Sequence, residues 1–260
     1  MSATPPQGEL ELQGRIMPAS NATFLGSITD EHGEHREYKV VYKPERGERP
    51  LWDFPDGTLA DREVASYLVS EVMGWDVVPL TWLREGPHGR GMVQLWQEVD
   101  PDVEAVTLVP EGTVPPGYLH VFDALDDRDR DISLVHEDTT ALRRMAVFDV
   151  VVNNADRKGG HVLEMPGGHR HGVDHGVTLH HEHKLRTVLW GWGGRALEDE
   201  EVAGIERVRA GLAGQLGRQL AEHLTDLEIT ALDRRCARLL SMGCLPVPRG
   251  EWPQIPWPPF

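Results

Sequence analysis

The spacing of apolar residues changes partway along this chain, and that change limits the folds open to it. Residues 9–28 alternate apolar and polar side chains around a small-residue turn, Ala19-Ser20-Asn21-Ala22-Thr23, which predicts two strands joined by a tight loop. Glu37-Tyr38-Lys39-Val40-Val41-Tyr42-Lys43 is rich in β-branched and aromatic residues and is closed by Pro44, so it reads as a third strand. Residues 77–84 and 91–98 add two more, separated by the turn Gly86-Pro87-His88-Gly89. Within this β-rich stretch, residues 59–73 put Ala60, Val64, Tyr67, Leu68 and Val72 on one helical face, with Glu63 near its edge. Thr58 is placed to cap that helix and Gly74 to end it.

Beyond residue 99 the signals differ. Residues 100–117 are rich in Pro and acids, as suits a connector between lobes, and residues 123–131 form a charged, solvated run. Residues 139–152 turn helical, with an apolar tail over 145–152 that suits a buried helix end or a strand. Amphipathic helices are predicted over 199–220 and 226–240, and Trp252-Pro253 through Phe260 is too proline-rich for anything but an extended strap. The expectation is an α+β fold of two lobes, a small β-rich N-lobe over 1–99 and a mainly helical C-lobe over 100–260.

A chain of 260 residues with 40% hydrophobic content can build such a core. Its formal net charge of -16 repels nucleic-acid backbones and anionic membrane surfaces, both of which are held through clustered Lys and Arg. Nowhere does the sequence approach the roughly 18 consecutive apolar residues that span a bilayer, and its first residues lack the pattern of a signal peptide. These features predict a cytoplasmic protein without stable membrane association or a nucleic-acid partner. Cys236 and Cys244 have no thiolate-site spacing and read as reduced and structural. No motif specifies an oligomeric state.

The strongest chemical signal is Asn153-Asn154-Ala155-Asp156-Arg157-Lys158-Gly159-Gly160-His161, a polar loop between apolar segments, followed by Val173-Asp174-His175-Gly176. Phosphoryl transfer needs one carboxylate to orient the attacking hydroxyl and another to hold the cation that bridges the phosphates, and Asp156 and Asp174 suit those tasks. The same residues also suit a polar turn capped by Asp156 and a hairpin turn at Asp174-His175-Gly176. Order along the chain favours the chemical reading, because a strand lysine, a helix glutamate, an aspartate loop and an aspartate turn succeed one another on the elements that kinase chemistry requires.

This pattern resembles the catalytic core of the phosphatidylinositol 3-/4-kinase-like superfamily, particularly its small bacterial members. Asn154, Asp156 and Arg157 match the NxDR-type loop, Asp174 and Gly176 match the aspartate-x-glycine turn, and Val40-Val41-Tyr42-Lys43-Pro44 looks like the lysine-bearing strand. The resemblance covers about residues 15–190 and implies a two-lobed kinase-like fold with ATP and Mg2+ (or Mn2+) between the lobes. It implies Asp156 as catalytic aspartate, Arg157 or Lys158 offsetting charge on the phosphoryl group, and Asp174 as metal ligand. It further implies that Lys43 touches the nucleotide phosphates with Glu63 as its partner, that Ser20 and Asn21 lie in the phosphate-covering loop, and that Gln97, Glu98 and Val99 form the hinge that meets adenine. The resemblance alone implies an inositol lipid as acceptor, but the acidic composition and the lack of a membrane-anchoring segment favour a hydroxyl on a soluble small molecule or a protein.

Two departures from that pattern open other readings. His161 stands where such kinases carry a metal-binding asparagine, and imidazole prefers softer metals than magnesium, so a nucleotide-binding pseudokinase serving as a regulatory scaffold is an alternative. The crowding of His161, His169, His171, His175, His180, His181 and His183 suggests a metal-dependent hydrolase as a further one, with His180, His181 and His183 as donors and Glu182 nearby. Solvated loop histidines account for the same residues more simply, since no metal-ligand spacing links them.

Overall fold

The structure, a computed structural model, describes residues 4–17, 21–30, 36–49, 51–249 and 254–260. The alternating segments form an antiparallel five-stranded sheet in the order β1-β2-β3-β5-β4. Its strands are β1 (Leu10–Arg15), β2 (Phe24–Thr29), β3 (Glu37–Pro44), β4 (Thr81–Gly86) and β5 (Gly89–Leu95). β4 and β5 meet in a hairpin whose last pair is Gly86 with Gly89, as the turn residues predict. Both strands are shorter than expected: residues 77–80 reach the sheet in non-strand conformation, and pairing stops at Leu95, before Gln97. Leu10, Ile28, Val40, Tyr42 and Val93 make a small core on one sheet face.

Helix α1 (Leu59–Met73) is almost wholly buried. Its free N-terminal amides are met by the Thr58 hydroxyl, which accepts from the Asp61 N–H at 3.0 Å, and by Glu48, whose two carboxylate oxygens accept from Leu59 and Ala60 at 2.9 Å each. Gly74 closes it in the left-handed conformation, φ 73°. Arg62, 2% exposed, is a buried tie from α1: it donates to the Thr178 carbonyl at 2.8 Å, to the Asp56 carbonyl at 2.9 Å and to Glu228 at 2.6 Å. Glu228 lies on α5 (Asp226–Met242), so this pair joins the helix of the N-terminal half to the last helix among the described residues.

Residues 100–260 carry more sheet than the composition suggests. A three-stranded antiparallel sheet, order β6-β8-β7, is built from β6 (Val106–Pro110), β7 (Tyr118–Leu125) and β8 (Asp131–Glu137). The supposed connector therefore contains a strand, and the charged run is the end of one strand and the tight turn to the next. The apolar stretch after Thr139 is helical to its end, as α2 (Thr140–Val152), terminated by Asn153 at φ 54°. β9 (Val162–Glu164) and β10 (Arg170–Gly172) form a short hairpin that leads into Val173-Asp174.

The helix expected over 199–220 is two helices, α3 (Asp199–Leu212) and α4 (Gln215–Leu220), with Ala213 and Gly214 between them. The larger core gathers α1, α2, β8 and the C-terminal helices around Met145, Phe148, Val151, Trp192, Ile205 and Leu232, and Trp192 in it is fully buried. Ser20, Trp252 and Pro253 lie outside the described residues, but residues 254–260 do pack as a strap. The Gln254 carbonyl accepts from the Thr187 amide at 3.1 Å and the Trp190 indole at 2.9 Å, and the Pro259 carbonyl accepts from the Gly159 amide at 2.8 Å. Among the described residues no helix is long and apolar enough to cross a membrane.

Candidate active site

Lys43 is the next-to-last residue of β3, paired in register with Met92 of β5. Gly91 allows the tight approach there: a Cβ on it would lie 2.5 Å from the Lys43 carbonyl oxygen and 2.8 Å from the Tyr42 ring. The Lys43 ammonium donates to Glu63 of α1 at 2.7 Å and to Asp174 beyond β10. Residues far apart in sequence thus meet at one cation. Burial alone would lower the Lys43 ammonium, but the charges of Asp174 and Glu63 outweigh it and hold its pKa above the ordinary value. Lys43 likewise drives the Asp174 carboxyl well below the usual range, against burial and with help from His161.

The second oxygen of Glu63 accepts the backbone N–H of His175 at 2.9 Å. One carboxylate therefore fixes both the strand lysine and the turn that carries Asp174. Asp174 itself sits at φ 59°, a left-handed conformation that aspartate tolerates better than most residues.

Asp156 occupies the loop after α2. Asn154 shapes that loop, accepting the Asp156 N–H at 3.0 Å on its side-chain oxygen and donating through its amide to Asp149 at 3.0 Å. Burial raises the Asp156 carboxyl above its ordinary value; Lys158, 3.7 Å away, and Arg186 oppose the rise, and Asp174 adds to it. A carboxylate displaced toward neutrality is a better proton acceptor than an ordinary aspartate.

Arg157 lies elsewhere than a charge-offsetting role at the phosphoryl group requires. It is fully buried, and its guanidinium grips Asp149 of α2 with Nη2 to Oδ1 at 2.9 Å and Nε to Oδ2 at 3.0 Å. Its remaining donors reach the His161 carbonyl at 3.1 Å, the Val173 carbonyl at 3.3 Å and His175 Nε2 at 2.7 Å. Arg157 thus ties the loop, the hairpin and the aspartate turn to α2. Sequence reasoning missed Asp149, whose signal was an acid in an otherwise apolar helix end. Lys158, with its side chain 21% exposed, keeps an ammonium beside Asp156.

His161 faces the same centre. Its Nδ1 lies 2.9 Å from the Asp156 carbonyl oxygen, which can only accept, so Nδ1 carries the proton and Nε2 a lone pair. Nε2 is 3.4 Å from Asp174 Oδ2. Burial pushes the His161 imidazole down to about 4, although Asp174 pulls the other way, so near neutrality two acceptors confront each other with no proton between them. A carboxylate oxygen and a neutral imidazole nitrogen so placed suit a divalent cation, and the mixed donor set suits Mn2+ better than Mg2+.

The other expected site residues are more scattered. Asn21 accepts the Arg49 N–H on its side-chain oxygen at 3.0 Å. Glu98 is a surface acid paired with Lys39 at 2.8 Å, Gln97 donates to the Leu95 carbonyl at 3.2 Å, and Val99 is 46% exposed. His180, His181, His183 and Glu182 do not form a metal site. His180 is buried edge-on against the Phe54 ring and stacked on His181, and the one group of three metal-ligating side chains among the described residues is Asp76, His169 and His171.

No family model matches the sequence. The chain is similar to crystal structures of the Golgi casein kinase, at a TM-score of 0.52 with 13% identity, covering 92% of this chain and 71% of that one. A second structure of that kinase, with Mn/ADP bound, gives 0.51 and 13% identity over 92% of this chain and 73% of the other. This likeness shows a kinase-like fold. Protein Rv2133c of Mycobacterium tuberculosis is 50% identical over 262 residues, spanning 97% of this chain and 93% of that protein. On that match, a chain with a kinase-like fold and its paired strand lysine, helix glutamate and aspartate turn belongs to the Rv2133c family.

Proposed function

We propose that this protein is an ATP-dependent phosphotransferase acting on a hydroxyl of a soluble small molecule or protein, and that it lies within the phosphatidylinositol 3-/4-kinase-like group of kinase folds. The observation that carries the reading is the meeting of Lys43, Glu63 and Asp174 at one ammonium, with Asp156 and His161 beside it. ATP lies between a lobe of residues 1–99 and a lobe of residues 100–260, with Asn21 toward the phosphates and residues 97–99 toward adenine. Lys43 is held by Glu63 and neutralises phosphate charge. Asp174 and His161 would hold a divalent cation, which would supply further neutralisation of the phosphates. Asp156 orients the acceptor hydroxyl and takes its proton as the oxygen attacks the γ-phosphorus and the bond to ADP breaks, while Lys158 offsets the charge that develops. Arg157 is a positioning residue in this scheme, because its donors face Asp149, the loop carbonyls and His175. The net charge of -16 disfavours nucleic-acid and anionic membrane partners.

ATP turnover with Mg2+ or Mn2+, compared between wild type, Asp156→Ala and Asp174→Asn alongside ATP-induced thermal shifts, tests this. Turnover lost in both variants supports a kinase. His161 favours a second reading, a nucleotide-binding regulatory pseudokinase, for which ATP stabilises the protein and no phosphate turns over. Absence of both binding and turnover overturns the nucleotide reading.

A further inference from the structure

Asp76, His169 and His171 come together from two segments that the proposed phosphotransferase chemistry does not use. Asp76 lies two residues beyond Gly74, the glycine that ends α1, and has φ 53°; His169 precedes β10 and His171 is its middle residue. Hydrogen bonds already fasten the two segments: the Gly172 amide donates to the Val77 carbonyl at 2.7 Å, and the His169 side chain donates through Nε2 to the Asp76 carbonyl oxygen at 2.8 Å, which leaves the ring's lone pair on Nδ1. The imidazole rings stand edge to face with centroids 4.5 Å apart, and Asp76 Oδ2 is 4.0 Å from His169 Nε2. One ligand atom from each residue lies within 4.8 Å of the other two. His171 is 7% exposed, and its Nδ1 is a buried polar atom without a hydrogen-bond partner.

We infer that these three side chains form a binding site for a borderline-soft divalent cation of the zinc class, separate from the cation site at Asp174. Two imidazole nitrogens and a carboxylate oxygen suit Zn2+, whereas Mg2+ and Ca2+ favour oxygen alone. In a tetrahedral zinc site with bonds of about 2.0–2.1 Å the ligand atoms stand about 3.3 Å apart, so the group contracts by at most roughly 1.5 Å. The freedom to do so lies in the outer residues, since the side chains of Asp76 and His169 are 69% and 37% exposed while His171 is fixed by burial. That exposure also leaves a fourth position to water. The bound cation clamps the end of α1, which carries Glu63, to the strand that runs into Asp174.

The test is titration of Zn2+ alone into the metal-stripped full-length protein, with a chromophoric chelator as competitor and thermal melting in parallel, in wild type, Asp76→Asn, His169→Ala and Asp174→Asn. Asparagine keeps the left-handed backbone at position 76, and His169 is exposed enough that its loss leaves the metal-free melting temperature near wild type. The expected result is one equivalent of Zn2+ that raises the melting temperature, with affinity reduced about tenfold or more in Asp76→Asn and His169→Ala and unchanged in Asp174→Asn. No stoichiometric zinc in wild type overturns the inference. So does zinc that survives both substitutions, or zinc that is lost with Asp174→Asn. Because the readout is metal affinity, either result is independent of whether ATP turns over.

Discussion

Glu63 receives the backbone N–H of His175 at 2.9 Å on one carboxylate oxygen while the other holds the Lys43 ammonium at 2.7 Å. The strand lysine and the aspartate turn therefore share one anchor on α1, and both contacts need an acceptor. Glu63→Gln keeps the shape but turns a donor toward one of the two. The expected outcome is a stability loss of about 1–3 kcal/mol in urea unfolding. ATP turnover is expected to fall roughly tenfold or more, since both Lys43 and Asp174 lose their fixed positions. Wild-type turnover in Glu63→Gln would remove the anchor from the proposed mechanism.

The Arg157–Asp149 pair predicts a different signature. Both side chains are fully buried and joined by short, paired hydrogen bonds, so removing one partner leaves an uncompensated buried charge. Arg157→Met is expected to destabilise by about 3–5 kcal/mol. Arg157→Lys does not restore the loss, because a single ammonium cannot serve Asp149, two carbonyls and His175 together. In denaturant unfolding, Arg157→Met combined with Asp149→Leu should lose less than the two single changes added together. Strict additivity would mean that the two groups act apart.

His136 supplies a pH dependence. Its Nδ1 lies 2.9 Å from the Glu137 carbonyl oxygen and its Nε2 accepts the Gly191 amide at 3.0 Å, a pair of bonds that only the neutral ring makes. Burial, partly opposed by the Glu137 carbonyl, lowers its pKa from 6.5 to about 4. The unfolded chain therefore takes up this proton first. The contribution is fully present above about pH 6.5 and is lost as pH falls toward 4, by on the order of 3 kcal/mol at about 1.4 kcal/mol per pH unit. Unfolding free energies measured from pH 7 to pH 4 should fall less steeply in His136→Gln than in wild type. Equal slopes would show that another group carries the effect.

Gly159 and Phe260 make a further contact worth perturbing. A Cβ on Gly159 would lie 2.4 Å from the Phe260 ring, so Gly159→Ala must push that ring aside. Phe260 is 46% exposed, and its loss by Phe260→Ala should change stability by no more than about 1 kcal/mol. Both variants are expected to leave the strap more open to limited proteolysis than wild type does. An unchanged cleavage rate in both would mean that the hydrogen bonds of Gln254 and Pro259 hold the strap unaided.

Sequence reading succeeded where the signal is local. The alternation of β1 and β2, the β-branched and aromatic run of β3, the Thr58 cap, Gly74 and the helical spacing of α1 each sit within a few residues, and they place Lys43 and Glu63 on the elements that carry them. It failed where composition hid pairing. β6 is embedded among prolines and acids, and β7 and β8 are divided by a charged turn, so their partners across the sheet, such as Leu108 with Leu134, are invisible in a linear window. Burial of charge was equally hidden. Nothing local separates Arg157, gripped by Asp149, from a solvated arginine, and nothing links Asp76 to His169 until the β9–β10 hairpin is laid against the end of α1.

The strap of residues 254–260 also bears on how the protein comes into being. Ribosomes release these residues after every segment they touch, and chains fold progressively from the N-terminus as they emerge. Until that moment the Gly159 amide and the Trp190 indole have water in place of the Pro259 and Gln254 carbonyls. The loop that carries Asp156 is thus braced by residues translated well after it, and a nascent chain stalled before residue 254 holds Lys43, Glu63, Asp156 and Asp174 without that brace.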